Sequence, residues 1–364
     1  MSVRSASLMI TSVTAILALS LSIQASRGDG TTQQVAAIDS QAASSGDTVS
    51  PDALAKMKAL YKRPNEIPFP ADNLYTPAKA QLGKTLFFDT RLSRVSVLAC
   101  ASCHNPSFGW EDGRPTAVGD NLQILRRNSP TVLNLAWAAA FFWDGRADSL
   151  EHQASGPIQA KGEMNEAMPD LLSRLNGIPG YQKMFEAAFP GKGISQDTIT
   201  KAIATFERTV VSARSPFDDW IDGNEAAISD SAKRGFILFN GKGNCAACHS
   251  GWTLTDDSFH DIGLPDANGD KGRAEIVPDV PELVYAFKTP GLRNIDQRAP
   301  YMHDGSLATL EQVMQHYATG IVERPTLAPE IKKLSLNDHD VTDLVAFLKT
   351  LTGPDQPMSM PLLP

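Results

Sequence analysis

Cys100-Ala-Ser-Cys103-His104 and Cys245-Ala-Ala-Cys248-His249 decide the fold, because the chain around each of them is the same pattern used twice. Gly83-Lys-Thr-Leu86-Phe87 precedes the first, and Gly235-Phe-Ile-Leu238-Phe239 precedes the second. Pro130 and Asn134 follow the first and Pro290 and Asn294 the second, at one spacing. Asp144-Gly145 with Leu150-Glu151 then closes one copy, and Asp304-Gly305 with Leu310-Glu311 the other. Landmarks matched in one order imply two copies of one domain.

Cys-x-x-Cys-His is the attachment sequence of c-type haem: the two sulfurs bond to the vinyl groups and the adjacent His is the proximal iron ligand. A thioredoxin-like redox pair, or half a zinc site, leaves a His directly after the second Cys unexplained on both occasions. Two covalent haem c groups are therefore expected, on Cys100, Cys103 and His104 and on Cys245, Cys248 and His249. The chain has 4 cysteines, so this use leaves none for a disulfide.

Working outward, 364 residues at 42% hydrophobic suit two domains, each able to bury a core. The net charge of −8 and the lack of any Lys/Arg block exclude the electrostatic footprint of nucleic-acid binding. Arg4, the apolar run from Leu8 to Ile23 and the small Ala25 and Ser26 read as a secretory signal peptide over residues 1–25. Residues 26–50, rich in Ser, Thr, Gln, Ala and Gly, read as a disordered linker. No other segment is apolar enough to cross a bilayer, so an exported, periplasmic protein is expected, off the membrane once the signal is cut. That location fits haem c, which is attached outside the cytoplasm.

Beyond Pro51 the periodic segments are helical. Apolar residues at three- and four-residue spacing predict helices over 51–62, 165–175, 197–211, 230–239, 309–317 and 338–351. Strand alternation is scarce. The expected fold class is mainly α: two cytochrome-c-like helical domains, each with one haem. Ser215-Pro216 and the polar Asp222-Gly-Asn224 interrupt the helical pattern and put the boundary between residues 51–222 and 223–364.

The sixth iron positions decide reactivity. In the first copy only His152 lies beyond His104, at a helix start rather than on the loop 105–127. It reads as a surface histidine, which leaves the first iron open. In the second copy Met302, Met314, His316 and Tyr317 are the available donors. Met314 and Tyr317 share a helix face and His316 points elsewhere, and spacing does not choose between them. Trp110 and Trp252, a few residues after their haem motifs, read as core or edge packing, with a haem-pocket lining or an electron exit route as the alternative.

Several longer blocks resemble the bacterial dihaem cytochrome c peroxidase superfamily from about Pro68 to Pro354. They are Leu86-Phe-Phe-Asp89, Arg91-Leu-Ser93, Arg127-Asn-Ser-Pro-Thr-Val-Leu-Asn134, Phe142-Trp-Asp-Gly-Arg-Ala147 and Gly156-Pro-Ile with Glu163-Met164. Phe287-Lys-Thr-Pro, Leu292-Arg-Asn294 and Pro300-Tyr-Met-His-Asp-Gly-Ser306 continue the likeness. Peroxidases of the superfamily carry a capping His on the loop after the first haem motif, where Asp120 and its neighbours stand here. They place a Met where this chain has Tyr317. Both departures resemble the MauG/MbnH-type branch, whose second haem is tyrosine-ligated and whose members oxidise residues of a partner protein.

The resemblance implies roles. Glu163 matches the distal glutamate, Gln153 the distal amide and Trp143 the tryptophan between the haems. Asn128, with backbone carbonyls around Arg298 and Pro300, matches an interdomain Ca²⁺ site, and such oxygen donors suit that ion. A phenolate stabilises ferric and higher oxidation states where a thioether favours the reduced one. The implied activity is oxidation of a partner protein residue, a tryptophan first, with hydrogen peroxide as oxidant and both haems sharing the oxidising power. The alternative is reduction of peroxide to water with electrons from a small cytochrome c or cupredoxin.

Overall fold

The computed structural model describes residues 49–354 and 357–364. The expected signal peptide and most of the linker lie outside the described residues. The helices, in chain order, are α1 (Pro51–Leu60), α2 (Pro77–Phe87), α3 (Cys100–Cys103), α4 (Leu150–Gln159), α5 (Met168–Asn176) and α6 (Pro179–Ala188). They continue with α7 (Gln196–Thr209), α8 (Pro216–Ile221), α9 (Asp230–Asn240), α10 (Leu310–Gln315) and α11 (Asp338–Lys349). Among the described residues one two-stranded antiparallel ribbon occurs, β1 (Phe259–His260) on β2 (Phe287–Lys288), with Phe259 opposite Lys288. No described helix is long and apolar enough to cross a membrane.

The repeat has a packing cause. α2 crosses α7 at Gly83, where a Cβ would stand 1.9 Å from the Ala202 carbonyl oxygen, and α9 crosses α11 at Gly235, where a Cβ would stand 1.9 Å from that of Asp343. Glycine therefore sets both crossings. One turn on, Phe87 packs on Phe206 with centroids 5.2 Å apart, and Phe239 on Phe347 at 5.1 Å. Asn134 and Asn294 both adopt left-handed backbone, at φ 63° and 58°, which asparagine tolerates better than most residues. Their N–H groups donate to Val210 and Leu351, just past the ends of α7 and α11. Helix starts are fixed by side chains: Ser195 and Thr198 cap α7 reciprocally, as Asn337 and Asp340 do α11.

Two cores result. The first gathers α2, α4, α5, α6 and α7 around Leu82, Leu86, Phe87, Leu171, Phe185 and Ile203. The second gathers α1, α8, α9, α10 and α11 around Trp220, Phe236 and Phe347. The cores do not divide the chain at residue 222. Met57 and Tyr61 at α1, and Phe217 and Trp220 on α8, belong to the second core. Tyr61 stacks edgewise on Phe217 and Phe236 and donates to Asn240 at 2.7 Å. The tail returns the exchange: Met358 packs on the first core, and Arg91 donates to the Pro364 carbonyl. Periodicity shows that α1 has an apolar face and says nothing of which core covers it. The helical pattern breaks between Thr209 and Pro216, and Ser215-Pro216 then opens the short α8, with Ser215 as cap and Pro216 in the first turn, where its missing N–H costs nothing.

Candidate active site

Each Cys-x-x-Cys-His ends in a tight turn, the His104 N–H donating to the Cys100 carbonyl at 2.9 Å and His249 to Cys245 at 2.8 Å. The imidazole Nδ1 of His104 faces the Trp110 carbonyl at 3.3 Å, and that of His249 the Leu254 carbonyl at 3.0 Å. A proton on Nδ1 leaves the Nε2 lone pair for a metal, and burial holds both rings below the ordinary histidine pKa, in the neutral, ligating form. None of the four cysteines is paired in a disulfide. His104 with Cys100 and Cys103 lines one cavity of about 230 Å³, and His249 with Cys245 and Cys248 another of about 190 Å³. Either exceeds the space of a single water more than tenfold. Two cysteines without a disulfide, a preset imidazole and a mostly apolar cavity of that size fit a covalently held haem in each.

The first cavity brings Glu163, Gln153 and Trp143 together with Arg146. Gln153 projects from α4, and Glu163 sits in the turn between α4 and α5 rather than at an exposed helix start. Burial raises the pKa of the Glu163 carboxyl, against a lowering pull from Arg146. Its backbone is pinned by the loop after the first haem motif, because the Asp120 N–H donates to the Glu163 carbonyl at 2.8 Å. Asp120 itself faces away from the cavity and binds Arg94 at 2.8 Å and Asn165 at 2.7 Å. No histidine other than His104 lines this cavity. His152 is exposed and pairs with Asp148 at 3.1 Å.

The second cavity is lined by Met302, Met314 and Tyr317. The expected helix over 309–317 stops at Gln315 and continues as a π-helical turn, His316–Gly320. Such turns re-aim side chains and recur at functional sites. Here Tyr317 faces the cavity, while His316 turns away to the Ile262 carbonyl at 3.0 Å. Met314 is part of the second core.

Between the cavities stands a shared wall of Trp143, Asn128, Glu111, Lys288, Pro290 and Arg298, which line both. Trp143 Nε1 donates to the Asn128 carbonyl at 2.9 Å, and the ring meets His303 edge-on. The Asn128 amide donates to the Arg114 carbonyl at 2.8 Å, and its N–H to that of His303 at 2.7 Å. Pro300 lines the second cavity after a cis Ala299–Pro300 bond.

Residues 77–226 match the family model for di-haem cytochrome c peroxidase, and residues 232–352 that for cytochrome c. Methylamine utilization protein MauG of Methylorubrum extorquens is 50% identical over 327 residues, covering 89% of this chain and 92% of that one. The chain belongs to the di-haem cytochrome c peroxidase family. Cytochrome c551 peroxidase of Pseudomonas aeruginosa is 38% identical, covering 85% of this chain and 91% of its own. A solved MauG-like protein associated with microbial copper homeostasis has a TM-score of 0.73 at 34% identity, covering 80% of this chain and 95% of that one. Membership makes the chain a MauG-like dihaem oxidoreductase, an enzyme with two haem c groups in two cytochrome-c-type helical domains.

Within this di-haem peroxidase, sequence reasoning passed over three features of the cavities. Glu207 lines the first cavity, buried, with Oε2 unpaired and its carboxyl pushed up to about 8 by burial. Its four-residue spacing from Ile199 and Ile203 was the available signal, since it puts a carboxyl on the buried stripe of α7. His260 and Asp256 pair at 2.8 Å beside Cys248. Glu111 and Arg298 form a buried ion pair at 3.4 Å across the shared wall. Asp256 and His260 are four residues apart, which was an available signal, whereas Glu111 and Arg298 are remote in sequence, so spacing carried none for that pair.

Proposed function

We propose that this chain is an exported, hydrogen peroxide-dependent dihaem oxidoreductase of the MauG/MbnH type that oxidises a residue of a partner protein, a tryptophan in the first instance. Cys100, Cys103 and His104 would hold one haem, and Cys245, Cys248, His249 and Tyr317 the other. When bound, the pair supplies peroxide cleavage and storage of the two oxidising equivalents.

The observation that carries this reading is the first cavity, which holds a raised-pKa carboxyl and an amide yet no histidine besides His104. A carboxyl whose pKa is raised by burial is suited to carry a proton from one oxygen of peroxide to the other. Glu163 Oε1 and Oε2 do this, and the Gln153 amide orients the peroxide. Trp143, the one tryptophan lining both cavities, relays electrons between them. Tyr317, aimed by the π-helical turn, supplies a phenolate that favours oxidised iron. Asn128 and the carbonyls of Arg298 and Pro300 would hold Ca²⁺ against the shared wall. A chain at −8 prefers a basic docking face on its periplasmic partner.

Peroxide detoxification fed by a small cytochrome c or cupredoxin is the second reading. It is favoured by Met302 and Met314 in the second cavity and by the cytochrome c551 peroxidase relatives.

Carbon monoxide tests the open site. The fully reduced holoprotein binds one equivalent per chain, at the His104 haem. Failure to bind any would leave two closed irons and an electron carrier in place of an enzyme.

A further inference from the structure

Buried side-chain N–H groups almost always find an acceptor. Among the described residues those that do not are Trp252 Nε1, Arg293 Nη2 and Arg298 Nε. All three belong to the second half of the chain, yet Arg293 and Arg298 line the first cavity, and Thr253, next to Trp252, does too. Arg293 and Arg298 are only 2% and 3% exposed. Trp252 and Arg293 are adjacent: Arg293 Nε donates to the Trp252 carbonyl at 2.7 Å, and the guanidinium lies 5.6 Å from the indole.

Charge points the same way. Arg293 and Arg63 share one carboxylate, Asp218, at 2.8 and 3.6 Å, so this end of the wall carries a surplus of positive charge. Arg298 reaches Glu111 only at 3.4 Å and spends Nη2 on the Gly291 carbonyl. Two unpaired cationic donors, on Arg293 at the first cavity and on Arg298 in the wall shared with the second, with the unpaired indole N–H of Trp252 beside Arg293, ask for an acceptor that is anionic and has several oxygens. A carboxylate meets that description, and guanidinium and carboxylate match in geometry.

We infer that Arg293, Arg298 and Trp252 form a cross-core carboxylate site that receives the propionates of the haem in the first cavity. This rests on the assignment of a haem to the His104 cavity. The haem tethered by the first half of the chain is then seated by the second, and its potential depends on cations from the other core. Arg293, Arg298 and Trp252 are positioning residues: they act through the cofactor and not on peroxide.

The test uses the holoprotein with R298Q, R298K and W252F, each assayed first for haem content and then by spectroelectrochemical titration and resonance Raman. W252F keeps an aromatic side chain and removes the indole N–H together with the five-membered ring. Losing a buried cation stabilises the more oxidised haem, so R298Q lowers the midpoint potential of the His104 haem more than that of the His249 haem. R298K stays near wild type, and W252F falls by less than R298Q. The propionate-bending band shifts in R298Q and W252F. With both haems loaded, an unmoved His104 potential and Raman band in R298Q and W252F overturns the inference. Equal falls in R298Q and R298K overturn it too, since they would report loosened packing. A wild-type chain with a single haem would instead sink the assignment of the first cavity.

Discussion

Adding one methyl group at Gly83 or at Gly235 tests the repeat where it is physically tightest. Each Cβ would lie 1.9 Å from a carbonyl oxygen of the crossing helix and 2.8 Å from a phenylalanine Cβ. Real Cβ contacts essentially never fall under 3.0 Å, so the backbones must part by about 1.1 Å in each crossing. That parting strains the Phe87–Phe206 and Phe239–Phe347 contacts directly behind. Overpacking of this kind costs roughly 1–3 kcal/mol or somewhat more, against which alanine's better helix propensity returns up to about 1 kcal/mol. A net loss of about 2 kcal/mol is expected for Gly83→Ala and for Gly235→Ala alike, a fall in Tm of roughly 4–8 °C. Thermal unfolding of the holoproteins, followed by far-ultraviolet and Soret circular dichroism, reads it. Either variant matching or exceeding wild type would show that propensity outweighs the contact and that the crossings are not set by glycine.

Glu163→Gln keeps the size of the side chain and removes the proton carrier. Stopped-flow mixing of ferric holoprotein with peroxide should show the reaction slowed about 10²–10⁴-fold at unchanged haem content. Glu207 gives a pH signature. Folded, its carboxyl keeps a proton up to about pH 8 that the unfolded chain releases near its ordinary 4.5. Over that window the folded state binds more protons, so stability falls as pH rises, with a slope of at most about 1.4 kcal/mol per unit. Glu207→Gln should flatten the slope of denaturant-measured stability between pH 5 and 8. An unchanged slope would mean that Glu207 is already ionised in the fold.

The repeat was legible because each landmark answers a local constraint: a helix crossing at Gly83 and Gly235, left-handed backbone at Asn134 and Asn294. Helices with a strong apolar stripe, such as α7 and α11, show in the spacing of Ile199, Ala202, Ile203 and Phe206 or of Leu344, Phe347 and Leu348. α2 lacks that clarity, with Gly83 in its middle, whereas α6 buries Tyr181, Phe185 and Ala188 at helical spacing behind an opening Pro179-Gly180. The exchange of α1 and the tail between cores rests on Tyr61 and Met358, whose neighbours are remote in sequence. At the site, the haem motifs are readable residue by residue, because covalent attachment fixes their spacing. Glu163 is an ordinary glutamate until the turn after α4 and the Asp120 loop place it in the cavity. Helical spacing put Met314 and Tyr317 on one face, but the π-helical turn that separates Tyr317 from His316 leaves no periodic signature.

The proposed role of Tyr317, to let the second haem hold oxidising power, is tested by adding stoichiometric hydrogen peroxide to fully ferric wild type and Tyr317→Met. Optical and near-infrared spectra, with electron paramagnetic resonance on frozen samples, follow the product. Ferric wild type is expected to react at once and leave a long-lived product with oxidation shared between both haems. Tyr317→Met should react only after one-electron reduction. A wild-type protein inert to peroxide until it is reduced would contradict the account and favour an ordinary peroxidase.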